Sequence, residues 1–169
     1  MRTVYGENHP RFASVLSLMG DLQRDENHLD EAERLFTQAA AIFKQTTSER
    51  HEFYLHQLSN LGSVYLARRQ YQKAEATLQT SVDGLIAVVP DQRYTGLAQI
   101  RLGQALAGQH RYDEAERCTL AGYHTLGKLP SSSAVELQNA RRELIRIYLA
   151  LDQPAKAEAF KSELTGRVR

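Results

Sequence analysis

Apolar residues recur at helical spacing along nearly the whole chain. Leu55, Leu58, Leu61, Tyr65 and Leu66 share one stripe, which breaks at Arg69–Gln70. Tyr71, Ala74, Leu78 and Val82 then begin a second stripe of the same period. This pattern predicts two amphipathic helices joined by a short corner. Extended along the chain, it predicts eight helices, at about 10–26, 28–46, 50–69, 71–88, 93–109, 111–127, 133–152 and 154–165. The boundaries carry matching signals. Pro10 stands at the first helical position of the first helix, and Pro90–Asp91 close the fourth. Ser133 and Glu136 have capping-box spacing, after a loop at Leu129–Pro130–Ser131–Ser132.

The helices come in repeating pairs. LDEAER (Leu29–Arg34) returns as YDEAER (Tyr112–Arg117), 83 residues on. Between and beyond these copies, Ala32, Ala74, Ala115 and Ala157 follow one another at 42, 41 and 42 residues, each with Glu behind it (Glu33, Glu75, Glu116, Glu158). Twelve residues before the alanines stand Gly20, Gly62, Gly103 and Ile145, preceded by Met19, Leu61, Leu102 and Leu144. Three residues before them stand Leu29, Tyr71, Tyr112 and Pro154, where each second helix should begin. Self-similarity at this period predicts stacked helical hairpins. A small residue on each partner lets the two helices of a hairpin approach closely, so each glycine is expected against the alanine twelve residues later. The expected organisation is a single domain, residues 1–169, of four units at about 9–49, 50–92, 93–132 and 133–165. The fold class is all-α, a right-handed α-solenoid of four antiparallel helix pairs.

These residues resemble the tetratricopeptide repeat (TPR), in its longer kinesin-light-chain form. LGSVYLARRQYQKAEATLQTSV (Leu61–Val82) resembles that family most closely, and GENHP (Gly6–Pro10) is similar to its inter-repeat connector. The resemblance covers about residues 5–165. The fourth unit departs from the pattern, with Ile145, Pro154, and Lys161 where Phe36 and Leu78 stand. Its last helix has a narrow apolar stripe (Ala157, Phe160, Leu164) and a polar outer face, as a terminal cap would. The first helix is instead crowded with Phe12, Val15, Leu16 and Met19, with nothing long before it. Together with the connector-like start, this suggests a piece of a longer protein, or an edge covered by a partner or a second copy. The alternative is that residues 1–8 fold over that edge.

Composition narrows the function. Twenty-one basic and 20 acidic residues give a net charge of +1, which offers no bulk attraction for nucleic acid or an anionic membrane. No apolar run approaches the ~18 residues of a membrane span, and MRTVYGENHP lacks a signal-peptide core. The single Cys118 forms no internal disulfide, and a cytoplasmic location is expected. Phosphate-cradling glycine loops and the CxxC, HExxH and GxSxG motifs are absent. The six histidines (His9, His28, His51, His56, His110, His124) show no metal-ligand spacing; His28 and His110 fall at equivalent corners and read as corner or capping residues. Cys118 reads as a packing residue, and the DEAER acids as first-turn residues that favour the helix dipole. No catalytic residue, cofactor or metal is expected.

The resemblance implies a concave groove lined by the first helix of each pair, which takes peptide segments. Carried over by position, the groove residues are Ser14, Ser17, Asp21 and Arg24; His56, Ser59, Asn60 and Ser63; Leu97, Ile100, Arg101 and Gln104; and Asn139, Arg142, Glu143 and Arg146. Asn60 has the donor and acceptor to read a peptide backbone. Arg142 and Arg146 share a helix face and, with Arg101, would favour an acidic segment. The expected function is a non-catalytic protein- or peptide-binding scaffold. The alternative is a self-assembling repeat array or oligomerisation module, associating through the N-terminal edge. Base-reading RNA repeats need polar chemistry that recurs in each unit, and these groove positions do not repeat theirs.

Overall fold

In the computed structural model, residues 8–130 and 134–164 are described. They form eight α-helices and, among the described residues, no strand: α1 Pro10–Asp25, α2 Leu29–Thr46, α3 Glu52–Ala67, α4 Tyr71–Val88, α5 Arg93–Gly108, α6 Tyr112–Gly127, α7 Ala134–Ala150 and α8 Pro154–Leu164. Each matches its predicted span to within about two residues. Residues 1–7, which include Gly6 and Glu7 of the GENHP connector and most of the N-terminal cover, lie outside the described residues, as does Ser133 of the capping box.

The chain, expected as one domain, clusters into two compact units, Met1–Pro90 and Asp91–Arg169. Each holds two helical hairpins. In the first unit α1 pairs with α2, α3 pairs with α4, and α2 packs on α3. In the second unit α5 pairs with α6, α7 pairs with α8, and α6 packs on α7.

Four corners of one design fold the hairpins. Asn27, Arg69, His110 and Asp152 take left-handed φ values of 63°, 57°, 63° and 54°. In each corner the left-handed N–H donates three residues back, as from Arg69 to Leu66 O at 2.9 Å. The next N–H reaches five residues back, as from Gln70 to Tyr65 O at 2.9 Å. This paired ending satisfies the last carbonyls of the first helix and reverses the chain at once. The side chains at Arg69 and His110 tolerate a conformation that glycine would adopt without strain.

The glycines set the distance between paired helices, though not in the pairing expected. A Cβ added to Gly20 would lie 2.6 Å from the Phe36 ring, and one on Gly62 would lie 2.4 Å from Leu78 Cγ. On Gly103 it would lie 2.1 Å from Thr119 Oγ1 and 3.0 Å from Ala115 O. The main occupant of each space is therefore the residue one helical turn beyond the repeated alanine. Ala32, Ala74, Ala115 and Ala157 are all fully buried beside it. The fourth hairpin departs from this arrangement. Ile145 packs against the Leu144–Tyr148–Ala157 cluster, and Lys161, in the Phe36 position, is exposed and pairs with Glu158 at 3.2 Å.

Gly62→Ala should lower stability in urea by about 1–2 kcal/mol, because overpacking against Leu78 outweighs the gain in helix propensity. Arg69→Gly should raise it by about 0.5–1 kcal/mol by relieving the left-handed corner. Unchanged midpoints for both variants would contradict the packing and corner assignments.

Candidate functional site

Any binding face on the first helices needs those helices held in place, and two matching polar ties do this. In the first unit Glu33 of α2 accepts from Tyr65 Oη of α3 at 2.9 Å and from Lys73 Nζ of α4 at 3.3 Å. Arg68 donates to the same carboxylate and also pairs with Asp30. Lys73 Nζ lies 4.0 Å from the Tyr65 ring centroid, a cation–π contact. Burial opposes the Glu33 charge, but the bonds from Arg68, Tyr65 and Lys73 outweigh it and hold the carboxyl below its usual value. Eighty-three residues on, Glu116, Tyr148 and Lys156 repeat the trio. Lys156 Nζ lies 3.1 Å from Glu116 and 5.1 Å from the Tyr148 ring centroid. Burial, reinforced by the bond to Glu116, pushes the Tyr148 phenol up to about 12. The last acid of each DEAER therefore ties neighbouring hairpins together, beyond its effect on the helix dipole. The second unit adds another tie: Tyr123 Oη donates to Glu163 at 2.6 Å, and Arg141 Nε to the same oxygen at 2.9 Å.

In the first unit the structure brings several expected face residues together. Arg24 of α1 lies 2.9 Å from Asp21 and donates to Ser63 Oγ of α3 at 3.4 Å. Ser63 in turn donates to Asn60 O at 2.6 Å. His56 and Ser63 are half-buried and Ser14 is exposed, whereas Ser17 is buried. Ser59 and Asn60 correct the sequence reading, since they are 0% and 1% exposed. The expected face took contiguous residues as one surface, but each step along a helix turns ~100°, and these two turn into the packed interior. Gln57, also buried, had not been singled out.

In the second unit Arg101, Gln104 and Leu97 of α5 are half-buried. Ile100 is a further correction, because it belongs to the core with Leu126 and Ala140. On α7, Asn139, Arg142 and Arg146 are exposed. Arg142 donates to Asn139 Oδ1 at 3.2 Å and Arg146 to Glu143 at 2.6 Å, so each guanidinium is steadied by a neighbour on its own helix.

Four of the histidines, His9, His28, His51 and His110, sit at helix starts and corners. His9 and His51, 42 residues apart, cap α1 and α3 by accepting from Arg11 N at 3.1 Å and Phe53 N at 3.3 Å. His28 and His110 share a type of corner but sit one residue apart in it. His110 holds the left-handed position and contacts Tyr112 Oη at 2.9 Å, while His28 precedes α2 without a side-chain cap. Cys118 is half-buried. The described residues contain no group of three or more His, Cys, Asp or Glu placed to hold a metal ion. No described helix is long and apolar enough to cross a membrane.

Comparison with known proteins agrees with this geometry. Residues 54–118 match the family model for the tetratricopeptide repeat. Among solved structures, BtubC (BKLC) from P. vanneervenii superposes with a TM-score of 0.79 at 17% identity, covering 94% of this chain and 64% of that one. The chain thus spans somewhat less than two thirds of that protein's length. The kinesin-light-chain-type TPR-like repeats from Podospora anserina give 0.77 at 22% identity, covering 95% and 79% of the two chains. The Sgt2 TPR domain from Aspergillus fumigatus gives 0.62 at 22%, covering 85% and 82%. A search of curated proteins found no significant match. The fold is an all-α solenoid like that of kinesin-light-chain-type tetratricopeptide repeats.

The ties predict opposite pH responses. The folded Glu33 carboxyl lies below the 4.5 of an unperturbed glutamate, so its contribution is complete above pH 4.5 and fades as pH falls through the folded value. Glu33→Gln should cost about 1–2 kcal/mol at neutral pH, with the gap to the parent closing in acid. Tyr148 acts in the other direction: its contribution is full below 10.0 and is lost as pH rises toward about 12. Tyr148→Phe should flatten the fall in melting temperature across that window. Parallel pH profiles for parent and variant would refute either assignment.

Proposed function

We propose that this tetratricopeptide-repeat chain is a non-catalytic scaffold that binds a protein or peptide segment on the first-helix face of its hairpins. The observation that carries the reading is the Arg24–Ser63 contact, which makes one polar surface from α1 and α3 with Asp21 and His56 beside it. A face lined by short polar and charged side chains suits an extended segment, whose backbone offers a donor and an acceptor at each non-proline residue. Ser59 and Asn60 lie beneath this surface and support it from inside.

In the second unit the proposed contacts are Arg101 and Gln104 of α5 with Asn139, Arg142 and Arg146 of α7. The arginines favour an acidic segment, because a guanidinium can meet a carboxylate with two parallel hydrogen bonds. Kinesin-light-chain-type repeats and the Sgt2 TPR domain share the fold, which supports protein binding as the class of function.

The test is fluorescence anisotropy with a labelled acidic peptide and its counterpart carrying Asn and Gln for Asp and Glu. The acidic form should bind more tightly, and Arg142→Glu with Arg146→Glu should weaken it by about tenfold or more. Equal binding of both peptides, or no effect of the double variant, would remove the acidic-segment reading.

A further inference from the structure

α1 carries a concentration of apolar exposure. Leu18, Met19 and Leu22 are 69%, 49% and 56% exposed. Arg11, Val15, Leu18, Leu22 and Asp25 follow one another by four, three, four and three residues, so they form one straight stripe with Met19 beside it.

The repeat register shows what this face is. Val15, Leu18, Met19 and Leu22 correspond to Gln57, Asn60, Leu61 and Val64 of α3, all buried, where α2 packs on α3. In α7, Val15, Met19 and Leu22 correspond to Ala140, Leu144 and Ile147, also buried, where α6 packs on α7. The α1 face is therefore an inter-hairpin surface with no helix of the described chain on it. The outer face of α8 does not complement it. Glu158 and Lys161 are exposed there, and head-to-tail stacking would bury the Glu158–Lys161 pair against leucine.

We propose that α1 packs antiparallel on α1 of a second copy, about a two-fold axis through Leu18. The stripe has the symmetry this needs. Arg11 lies seven residues before Leu18 and Asp25 seven after, both exposed. An antiparallel pair sets Arg11 of each copy against Asp25 of the other, while a parallel pair sets like charge on like. Arg24 bridges Asp21 and Asp25 on its own helix, but with Glu26 nearby the C-terminal end of α1 stays acidic. The apolar middle, Val15–Leu18–Leu22, then closes on itself. Two-fold contact uses the same surface on both copies, so assembly stops at a pair and forms no array. A 16-residue helix is about 24 Å long, and one such contact buries less than the ~1,200–2,000 Å² of a stable interface. The pair is correspondingly weak, in the micromolar range or above.

Sedimentation velocity over a concentration series up to about 1 mM tests this. The parent chain should pass from monomer to dimer, and Leu18→Glu should remain monomeric with unchanged circular dichroism. Arg11→Asp alone and Asp25→Arg alone should each weaken the dimer by about tenfold, since two contacts reverse sign. The double swap should restore it, which a merely destabilised fold would not do. A monomer at every concentration would overturn the proposal. So would an oligomer that grows past the dimer, or a double swap that stays monomeric.

Discussion

The close approach of the two helices in each hairpin is the constraint on which the rest of the structure depends. Glycine inside a helix costs roughly 0.5–1 kcal/mol relative to alanine. Three of the four hairpins accept that cost at Gly20, Gly62 and Gly103, because Phe36, Leu78 and Thr119 occupy the space that a Cβ would fill. The three-residue corners make the contact reproducible. A left-handed residue followed after one residue by a new helix leaves no slack in the register, so the glycine of the first helix always meets the same turn of the second. The fourth hairpin departs from the rule: Ile145 stands where the others have glycine and packs on the core, and Lys161 turns to solvent.

Hairpins built this way still need to be fixed to one another, and an aliphatic interface alone specifies orientation weakly. The Glu33–Tyr65–Lys73 trio supplies direction. A part-buried carboxylate is tolerated only where donors replace its lost water, and here Tyr65, Arg68 and Lys73 come from two different helices of the next hairpin. The donors must arrive together, so the carboxylate sets the position of α3 relative to α2. The face that bears Ser63 and His56 is the reverse side of this same α3. Its shape is inherited from the tie and from the buried Gln57, Ser59 and Asn60 beneath it.

Much of the fold was legible because it rests on periodicity. Helix spans followed from the recurrence of apolar positions, and the hairpin corners from the break at Arg69–Gln70 and its counterparts. The glycine contacts were read one turn short, since a one-dimensional register shows which positions are small but not which side chain slants across to them. Ser59, Asn60 and Ile100 were assigned to a face that helix rotation denies them. The polar ties went unread for a different reason: a tyrosine hydroxyl finds its partner across a helix interface, where spacing gives no local cue. One signal was available. Extending the DEAER comparison forward aligns Tyr65 with Tyr148 and Lys73 with Lys156 at the same 83-residue offset. His9 and His51 stand 42 residues apart at the start of successive first helices, a repeat signal that the sequence reading passed over in favour of His28 and His110.

Two periods are therefore superimposed on the chain. Packing repeats every 41–42 residues, as the buried alanines show, whereas the Glu–Tyr–Lys trio repeats every 83. At the intervening step the register holds Glu75, Leu106 and Glu114, two carboxylates and no phenol, and that chemistry cannot form the trio. Each complete trio falls inside one of the two compact units, where it spans the junction of the two hairpins. The last glutamate of each DEAER is the acceptor of one trio, once in each unit. A one-hairpin period would suffice for burial alone. What repeats every two hairpins is the donor pair, the phenol of Tyr65 or Tyr148 and the ammonium of Lys73 or Lys156, since the glutamate itself recurs in every unit.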